Sequence, residues 1–408
     1  MKRLVGQRVR WLGLALLLTI LLVPFQAVAK QEDLRVMTRN LYIGLDLLAV
    51  AEAPDFIGEA QAALGIAAAS YRERVATLAA EIAEQAPHLV ALQEVYDFTF
   101  NDQNFGPPFP FVDFLDELLG ALQSRGAMYQ PVAAMKNTDI AIPLTLPMLG
   151  AGTVRVIDRD VILRRADVAA SPVDLTGLCR TQADWDGCNY GLDISFLPIP
   201  NPPVLPNPAD PEHPIVIERG LVAAYALFDG QPLVFVNTHL EVRELGMAQG
   251  LPVGFYQSLQ ALELVEILDA LRAELQVPIL VGGDFNSSSQ DNFLHDFGAF
   301  VLTPPYRQMA AGGFLDAWVL HRPGEPDGFT CCQEENLLNQ RSALYERIDL
   351  IFSSEEPRQV KVHLSGNKQA DKSPAGLWPS DHAGVTARLD YGVKRQAAGK
   401  GGNVAVAR

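Results

Sequence analysis

Apolar and polar positions alternate along the chain in two patterns, short apolar runs and longer stretches with helical spacing. The runs are typical of buried strands, and they fall at 34–38, 89–92, 161–163, 215–228, 233–237, 278–282, 348–352 and 385–389. Helical spacing predicts helices over 70–85, 114–122 and 259–268, and Pro87 terminates the first of them. Asp229-Gly230 is a hairpin-turn signal between two strands. Strands mixed with a few helices indicate an α/β or α+β protein with more than one sheet.

Two stretches interrupt this pattern as insertions would. Residues 98–155 carry proline-rich and apolar loops, and residues 170–214 include eight prolines between Phe196 and Pro214. Proline at this density excludes regular helix or central strand, and predicts an ordered surface loop or a flexible flap. The basic, glycine-rich tail over 391–408 is typical of disordered termini.

The N-terminus has the pattern of an export signal. A positive start precedes an apolar run from Trp11 to Phe25, and Ala27-Val28-Ala29 offers small residues for cleavage. The run is shorter than the roughly 20 residues that span a bilayer, so cleavage after Ala29 is favoured over an uncleaved anchor. We therefore expect residues 1–29 to be a signal peptide and the mature chain to be secreted or periplasmic.

The acidic charge balance bears on the partners. The whole chain has a formal charge of −16, and loss of the signal's four positive residues leaves 28 Lys and Arg against 48 Asp and Glu, a balance of −20. Such a chain lacks a general attraction for polyanions, which disfavours nucleic acid as a substrate without excluding it.

The four cysteines suit an exported protein, because disulfides persist in oxidising compartments. Cys179 and Cys188 close a short loop and form a natural pair. The adjacent Cys331 and Cys332 could bond to each other or elsewhere, and sequence alone does not determine the connectivity. Zinc is disfavoured because the spacing of zinc ligands is missing.

Four polar blocks each follow an apolar run, so each falls at the end of a predicted strand. They contain Asn40; Gln93-Glu94; Asn237-Thr238-His239 with Gly283-Asp284-Phe285-Asn286; and Arg347-Ile348-Asp349 with Ser380-Asp381-His382. Taken singly, each block also suits a structural role, such as a turn, a surface carboxylate, a core imidazole or a helix cap. If the strand ends converge, the blocks form one polar pocket.

The residue types in these blocks suit the hydrolysis of a phosphoester bond. A hard divalent ion such as Mg²⁺ takes oxygen ligands and few protein carboxylates, and Glu94 can supply one. Asp284 or His382 can activate or orient the attacking water. Asp349 or Asp381 can hold the tautomer of a histidine that acts near neutral pH.

Three further residues can meet the charge that grows on the phosphoryl oxygens. Asn40, Asn286 and His239 are neutral or cationic hydrogen-bond donors, as this task requires. The blocks together therefore predict a metal-dependent phosphoester hydrolase.

The order of the four blocks resembles the endonuclease/exonuclease/phosphatase superfamily. This superfamily includes pancreatic-type deoxyribonucleases, apurinic endonucleases, inositol polyphosphate phosphatases and bacterial neutral sphingomyelinases. The resemblance extends from about Leu34 to Leu389 and implies a catalytic domain over 30–390. It implies an α/β four-layer sandwich, in which two mixed β-sheets pack face to face with helices outside.

The resemblance also implies which residues bind the metal and the substrate. Glu94 matches the principal metal-binding glutamate, and Asp381, which matches the aspartate of the closing Ser-Asp-His segment, is a further candidate metal ligand. Asn40 matches an asparagine that helps to bind metal or phosphate, and His239 matches a histidine that contacts phosphate. The metal implied is Mg²⁺, or another divalent ion such as Mn²⁺ or Ca²⁺.

The catalytic roles follow from the same resemblance. Asp284 and Asn286 match the Gly-Asp-x-Asn pair that orients water and stabilises the transition state. Asp349 matches the aspartate that supports the catalytic histidine, and His382 matches that histidine, as general base or acid. The stretch after Asn40 has no aspartate two places on, which apurinic endonucleases carry, so base-excision repair is disfavoured.

Three functions are compatible with this pattern. The favoured one is a phosphodiesterase acting on a lipid or small phosphodiester, because apolar loops at 144–149 and 196–205 could contact a membrane, although packing over the sheets explains them equally well. A secreted nuclease would need a basic groove, to which the available residues are Arg39, Arg159, Arg164, Arg165 and Arg180. A non-catalytic binding protein on the same fold would predict losses among the matched residues, and none is lost.

Overall fold

The computed structural model describes residues 32–392 except for 46–49, 51–52, 102–108, 147–149, 183–184, 192–203, 206–211, 213–214, 244–246, 249–250, 297–300 and 326–327. The predicted signal peptide at 1–29 and the tail from 393 lie outside the described residues. Within the described part of the chain, no helix combines the length and apolar character needed to cross a membrane.

Short strands outnumber helices in the described chain. The strands are β1 (Leu34–Asn40), β2 (Leu89–Gln93), β3 (Asp97–Asn101), β4 (Phe109–Asp113), β5 (Tyr129–Leu146), β6 (Gly150–Arg165), β7 (Ala169–Pro172), β8 (Thr181–Gln182), β9 (Cys188–Asn189), β10 (Val204–Leu205), β11 (Ile215–Val216), β12 (Gly220–Phe228), β13 (Gln231–His239), β14 (Met247–Ala248), β15 (Leu251–Pro252), β16 (Ile279–Asp284), β17 (His295–Asp296), β18 (Val301–Leu302), β19 (Leu315–Asp316), β20 (Asp349–Ser353), β21 (Gln359–Ser365) and β22 (Gly384–Asp390). The helices are α1 (Phe56–Gln85), α2 (Phe114–Ser124), α3 (Val253–Leu275), α4 (Pro305–Ala311) and α5 (Ala317–His321).

Most of these strands belong to two mixed sheets. The first has the order β21-β22-β1-β2-β6-β3-β4, with β5 also paired to β6. The second has the order β19-β20-β16-β13-β12-β9-β8, with β7 also paired to β12. Each sheet contains one central parallel pair, β1 with β2 and β13 with β16, among antiparallel neighbours. Parallel neighbours place their carboxyl ends at the same edge of a sheet.

The alternation of side chains along the central strands produces four layers. Val36 of β1 and Phe235 of β13 lie in the apolar cluster between the two sheets. Their neighbours Met37 and Val236 face the opposite way, the first into the cluster that contains α1 and α2 and the second into the cluster that contains α3. Because both faces of each sheet are covered, the central strands are apolar throughout, as strands buried on both sides are. The predicted four-layer α/β sandwich is confirmed.

Local sequence explains several element boundaries. Asp229 and Gly230 have φ angles of 48° and 74° and join β12 to β13, as the hairpin signal predicted. Helix α1 ends at Gln85, where the C-cap residue Ala86 has a left-handed φ of 44° and Pro87 prevents continuation of the helix. The helix begins at Phe56, earlier than predicted, because its first half buries small residues such as Ala60 and Ala67, which give a weak apolar stripe.

The segment 98–155 contains more regular structure than we expected of an insertion with loops. It holds α2 and most of a long antiparallel ribbon formed by β5 and β6. Pro131 and Pro143 are tolerated in β5 because this strand has β6 alone as a partner among the described strands. In the segment 170–214, the regular secondary structure of the described residues is limited to short strands, and residues 196–203 lie outside the description.

Both cysteine pairs form disulfides. Cys179 and Cys188 are joined with a Cα–Cα distance of 5.4 Å, which confirms the predicted pair. Cys331 and Cys332 are joined to each other, which selects one of the two alternatives left open by the sequence. The first disulfide fastens the loop after β7 to strand β9 at the edge of the second sheet.

Phe235 tests the packing between the two sheets. We expect Phe235→Ala to lower the free energy of unfolding by about 3–5 kcal/mol, because the fully buried ring would leave a cavity between the sheets. Leu227→Ala, at a position of the same hairpin that is 45% exposed, should change it by less than about 0.5 kcal/mol. Denaturant unfolding measures both, and equal effects would contradict this packing.

Candidate active site

The predicted polar blocks meet where the two sheets come together at one edge. The residues at the strand ends there are Asn40 (β1), Glu94 (after β2), His239 (β13), Asp284 (β16), Asp349 (β20) and His382 (before β22). Within the second sheet, Asp284 is paired in register with His239 on one side and with Asp349 on the other. The structure therefore assembles residues that are up to 342 positions apart in the sequence, and all six lie in one group.

The side-chain amide of Asn40 links the carboxylates of the two sheets. Its Nδ2 donates to Glu94 Oε1 at 2.9 Å and to Asp284 Oδ2 at 3.1 Å. Its Oδ1 accepts a hydrogen bond from the backbone N–H of Tyr42 at 2.9 Å, which fixes the orientation of the amide. In this arrangement Asn40 faces the site as a donor. Its predicted role as a substrate-binding or metal-binding residue stays a prediction.

Glu94 is held at the mouth of the site by an unusual backbone conformation. Its φ is 55°, a left-handed value that few residues other than glycine adopt. Its Oε2 accepts from the backbone N–H of Ile43 at 3.0 Å, so both carboxylate oxygens are oriented by donors. Unlike Asn40 and Asp284, which are buried, Glu94 is partly exposed, as a metal ligand that must admit substrate would be.

His382 forms a hydrogen-bonded pair with Asp349. The distance from His382 Nδ1 to Asp349 Oδ2 is 2.8 Å, and the carboxylate is buried. Burial alone would lower the pKa of His382, but the carboxylates of Asp349, Asp381 and Asp284 raise it well above its ordinary value. These carboxylates therefore favour the charged form of the imidazole, in which Nδ1–H donates to Asp349, and Nε2 lies 3.9 Å from Asp381 Oδ1.

The backbone around His382 is fixed by the first strand. Arg39 Nη1 donates to the carbonyl oxygen of His382, and Ser380 Oγ donates to the carbonyl of Asn40 at 2.9 Å. The Ser380 hydroxyl also accepts from the N–H of His382 at 3.1 Å. The closing Ser-Asp-His segment is thus tied to the end of β1.

Asp284 occupies the centre of the group. Its Oδ2 lies 3.6 Å from His239 Nε2 and 3.7 Å from His382 Nδ1, in addition to the contact with Asn40. Burial is the main cause that raises the pKa of Asp284 to about 7, where the lowering effect of His382 and the raising effect of Asp349 are both included. A carboxyl group with this pKa can exchange a proton near neutral pH, which suits a general base.

Asn286 is oriented by the loop that contains it. Its N–H donates to Asp284 Oδ1 at 2.9 Å, and its side-chain Nδ2 donates to the carbonyl of Leu240 at 2.9 Å. Gln257 and Arg243 both donate to the carbonyl oxygen of Asn286. The amide of Asn286 therefore joins the ends of β13 and β16, and its predicted contact with the transition state stays a prediction.

His239 faces Asp284 with one ring nitrogen and an arginine with the other. His239 Nδ1 lies 3.0 Å from Arg219 Nη1, and the ring is buried. Burial, followed by the positive charges of Arg219 and His382, lowers the pKa of His239 well below its ordinary value. The two histidines of the site are thus in opposite electrostatic environments, which shift their pKa values in opposite directions.

Two buried arginines support the site, and our sequence reasoning missed both roles. The fully buried Arg74 of α1 donates to the carbonyls of Leu41, Tyr42 and Pro379, which holds the loop after β1 against the segment that leads to His382. Arg39 forms an ion pair with Glu81 of α1 at 3.1 Å. A signal was available, because Arg74 and Glu81 fall on the apolar face of an amphipathic helix, where charged residues need a partner.

The acidic residues of the site fit a hard divalent cation. Asp381 and Glu94 are the partly exposed carboxylates, and carboxylate oxygens suit Mg²⁺, Mn²⁺ or Ca²⁺. Burial raises the pKa of Asp381 to about 6, with Glu94 and Asp349 among the contributing negative charges. This excess negative charge favours the binding of a cation. Cys331 and Cys332 also lie beside His382, but disulfide-bonded sulfurs offer no thiolate to zinc.

Comparison with known proteins identifies the family. A profile of the endonuclease/exonuclease/phosphatase family matches residues 63–382, which is most of the chain. The chain belongs to this family. As in the family generally, it is a metal-dependent phosphoester hydrolase, so the predicted family and class of enzyme are confirmed.

Similar solved structures each cover 88% of this chain. They include an endonuclease/exonuclease/phosphatase family protein from Leptotrichia buccalis, with 17% identity, 99% of that chain covered and a TM-score of 0.46. An endonuclease/exonuclease/phosphatase from Beutenbergia cavernae has 19% identity, 72% of that chain covered and a TM-score of 0.46. A mannosyl-6-phosphatase from Bacteroides thetaiotaomicron has 16% identity, 99% of that chain covered and a TM-score of 0.44. These similarities are too distant to bear on the substrate. A comparison with curated proteins found no match.

The raised carboxyl pKa values predict that the metal-free protein is less stable at higher pH. The pKa values of Asp284 and Asp381 are about 7 and about 6, against an ordinary value of 3.8, so the folded state holds protons that the unfolded chain has released. Stability must therefore fall as pH rises from about 4 to about 7. We expect the Tm in chelator to be at least about 3 °C lower at pH 7.5 than at pH 5.

Addition of Mg²⁺ should reverse this loss at pH 7.5, because an ion that binds the folded carboxylates stabilises the folded state by mass action. Thermal unfolding followed by circular dichroism measures both effects. A Tm in chelator that rises between pH 5 and pH 7.5 would contradict the charge assignment.

Proposed function

We propose that this protein is an exported, Mg²⁺-dependent phosphodiesterase that acts on a lipid or a small phosphodiester. The observation that carries the proposal is the assembled group of Asn40, Glu94, Asp284, Asp349 and His382 at one edge of the sandwich. It contains a carboxylate for a hard metal ion, a buried acid with a pKa near neutrality and a charged imidazole.

The metal site consists of Glu94 and Asp381, with Asn40 beside them. A divalent ion bound there supplies charge neutralisation for the phosphoryl oxygens. Asn40 and His239 bind and orient the phosphoryl group by hydrogen bonds. Their donors are held in place before substrate arrives, which is the arrangement that favours a transition state over a ground state.

The proton transfers belong to Asp284 and His382. Asp284 orients the attacking water and accepts its proton at a carboxylate oxygen. His382 keeps one proton on Nδ1, toward Asp349, and donates the other from Nε2 to the leaving oxygen. Asp349 stabilises the charged ring throughout, and Asn286 holds Asp284 in orientation through its backbone N–H.

The arginines that could have formed a nucleic-acid groove are engaged elsewhere. Each contacts a carboxylate or a carbonyl oxygen: Arg39 with Glu81, Arg159 with Asp113, Arg164 with the carbonyl of Val168, Arg165 with Asp167 and Arg180 with Glu266. Together with the acidic charge of the chain, this arrangement supports a small or lipid diester over a polyanion. A secreted nuclease is the alternative, and cleavage of duplex DNA distinguishes it from a phosphodiesterase that acts on a lipid or small diester.

Contact with a membrane stays part of the proposal. The side chains of 144–149 and residues 196–203 lie outside the described residues, so the sequence alone supports this contact. A non-catalytic role is disfavoured because none of the residues that the proposed chemistry requires is lost from the chain.

Export rests on the N-terminal pattern alone. We expect the protein recovered from the medium or periplasm of a producing cell to begin at Lys30, because cleavage should follow Ala29. Intact-mass measurement and N-terminal sequencing check this directly. Recovery only as the full-length chain in the membrane fraction would contradict export as a cleaved protein.

Substrate turnover tests the catalytic assignment. We expect cleavage of a chromogenic phosphodiester and of sphingomyelin vesicles with Mg²⁺ and none with chelator. Asp284→Asn and His382→Ala should each lower kcat by at least about 10³-fold, because each removes a proton-transfer group.

Matched controls exist for both variants. Asp269→Asn on α3 and His363→Ala on β21 change exposed residues of the same types and should leave turnover within about twofold. Faster cleavage of duplex DNA than of either diester would select the nuclease instead. Turnover that persists in chelator or in Asp284→Asn would contradict the proposed site.

A further inference from the structure

Arg219 lies behind His239, on the side away from Asp284. Arg219 directly precedes β12, whose first residue Gly220 is paired in register with His239. The pairing brings Arg219 Nη1 to 3.0 Å from His239 Nδ1. This arginine belongs to none of the polar blocks that the sequence singled out, and its position depends on the β12–β13 hairpin.

We infer that Arg219 is a positioning residue that fixes His239 as the neutral tautomer with its proton on Nε2. A guanidinium carries hydrogen-bond donors and no acceptor. The ring nitrogen that faces it must therefore accept, so Nδ1 carries no proton. A neutral ring with Nδ1 unprotonated has its N–H at Nε2, and Nε2 is the atom that lies 3.6 Å from Asp284 Oδ2.

Two buried carboxylates hold Arg219 in place. Its Nε lies 3.4 Å from Glu241 Oε2, and its Nη1 lies 3.6 Å from Asp158 Oδ2. Glu241 is fully buried and Asp158 is 3% exposed, and the guanidinium is a cation that faces both of them. Glu241 Oε1 also accepts from the N–H of Val242 at 3.1 Å, which limits movement of the carboxylate. The guanidinium of Arg219 therefore stays charged, and its Nη1 stays directed at His239 Nδ1.

The two histidines consequently have different tasks. His382 has a carboxylate behind Nδ1 and is charged, whereas His239 has a guanidinium behind Nδ1 and is neutral. Burial and the positive charge of Arg219 both lower the pKa of His239, in agreement with this tautomer. His239 therefore donates a hydrogen bond to the phosphoryl group without transferring a proton, and this last step rests on the proposed function.

Imidazole nitrogen NMR tests the tautomer without any turnover. The ¹⁵N shifts of a histidine ring distinguish protonated from unprotonated nitrogens, and the spectrum of a His239→Gln variant identifies the His239 signals by their loss. At pH 7 in the unsubstituted protein we expect Nε2 protonated and Nδ1 unprotonated. A proton on Nδ1, in either the other tautomer or the imidazolium, would overturn the inference.

Charge-matched variants test whether Arg219 is the cause. Arg219→Met combined with Glu241→Gln removes the donor together with one buried negative charge, and we expect His239 to gain a proton on Nδ1 near pH 6–7. Glu241→Gln alone keeps the donor and should leave the tautomer unchanged, as should the conservative Arg219→Lys. An unchanged tautomer in the double variant would overturn the role of Arg219.

The kcat values of the same variants report on the effect of Arg219 on catalysis. Loss of an oriented donor should lower kcat by about 10²-fold in the double variant, and Arg219→Lys should restore it to within about tenfold of the original. The tautomer decides the inference about Arg219, whereas metal-dependent turnover of the unsubstituted enzyme decides the proposed function. The inference about Arg219 can therefore be contradicted without contradicting the proposed function, and the reverse also holds.

Discussion

The hydrogen bonds from the Asn40 amide to Glu94 and Asp284 join the two sheets at the proposed site of the chemistry. Glu94 directly follows β2 of the first sheet and Asp284 ends β16 of the second, so the spacing between the sheets sets the spacing between the metal-binding carboxylate and the general base that are proposed here. Two carboxylates this close repel each other, and one amide offers only partial relief. Arg74, Arg39 and His382 each bring positive charge or a donor toward this acidic and largely buried edge.

The same constraint explains why the two histidines differ. His382 faces Asp349, which favours the imidazolium, and His239 faces Arg219, which excludes a proton from Nδ1. A site with two imidazolium rings would lose its neutral donor, and one with two neutral rings would lack an acid for the leaving group. In the mechanism proposed here, the partner behind each ring determines which histidine carries the proton and which orients the phosphoryl group.

The central strands, and the polar residues that the fold brings together at their ends, could be predicted from sequence because both leave local signals. A strand buried on both faces is an unbroken apolar run, and Glu94 and Asp284 are conspicuous as acids directly after such runs. The resemblance of the ordered blocks to a known family then supplied the four layers. Strand β5 escaped prediction because its prolines are acceptable only at a sheet edge, and sequence does not show where the edge lies. Arg219 escaped because its importance arises from pairing across a hairpin and not from its neighbours in the chain.

The central claim is that one edge of the sandwich holds a divalent ion at Glu94 and Asp381, beside Asn40. The most direct measurement is anomalous diffraction from crystals of the protein grown with Mn²⁺, which scatters anomalously and suits the same oxygen ligands as Mg²⁺. We expect a strong anomalous peak in contact with a Glu94 carboxylate oxygen, and its loss in crystals of Glu94→Gln. A peak bound elsewhere with none at Glu94, in crystals where the site is open to solvent, would contradict the account.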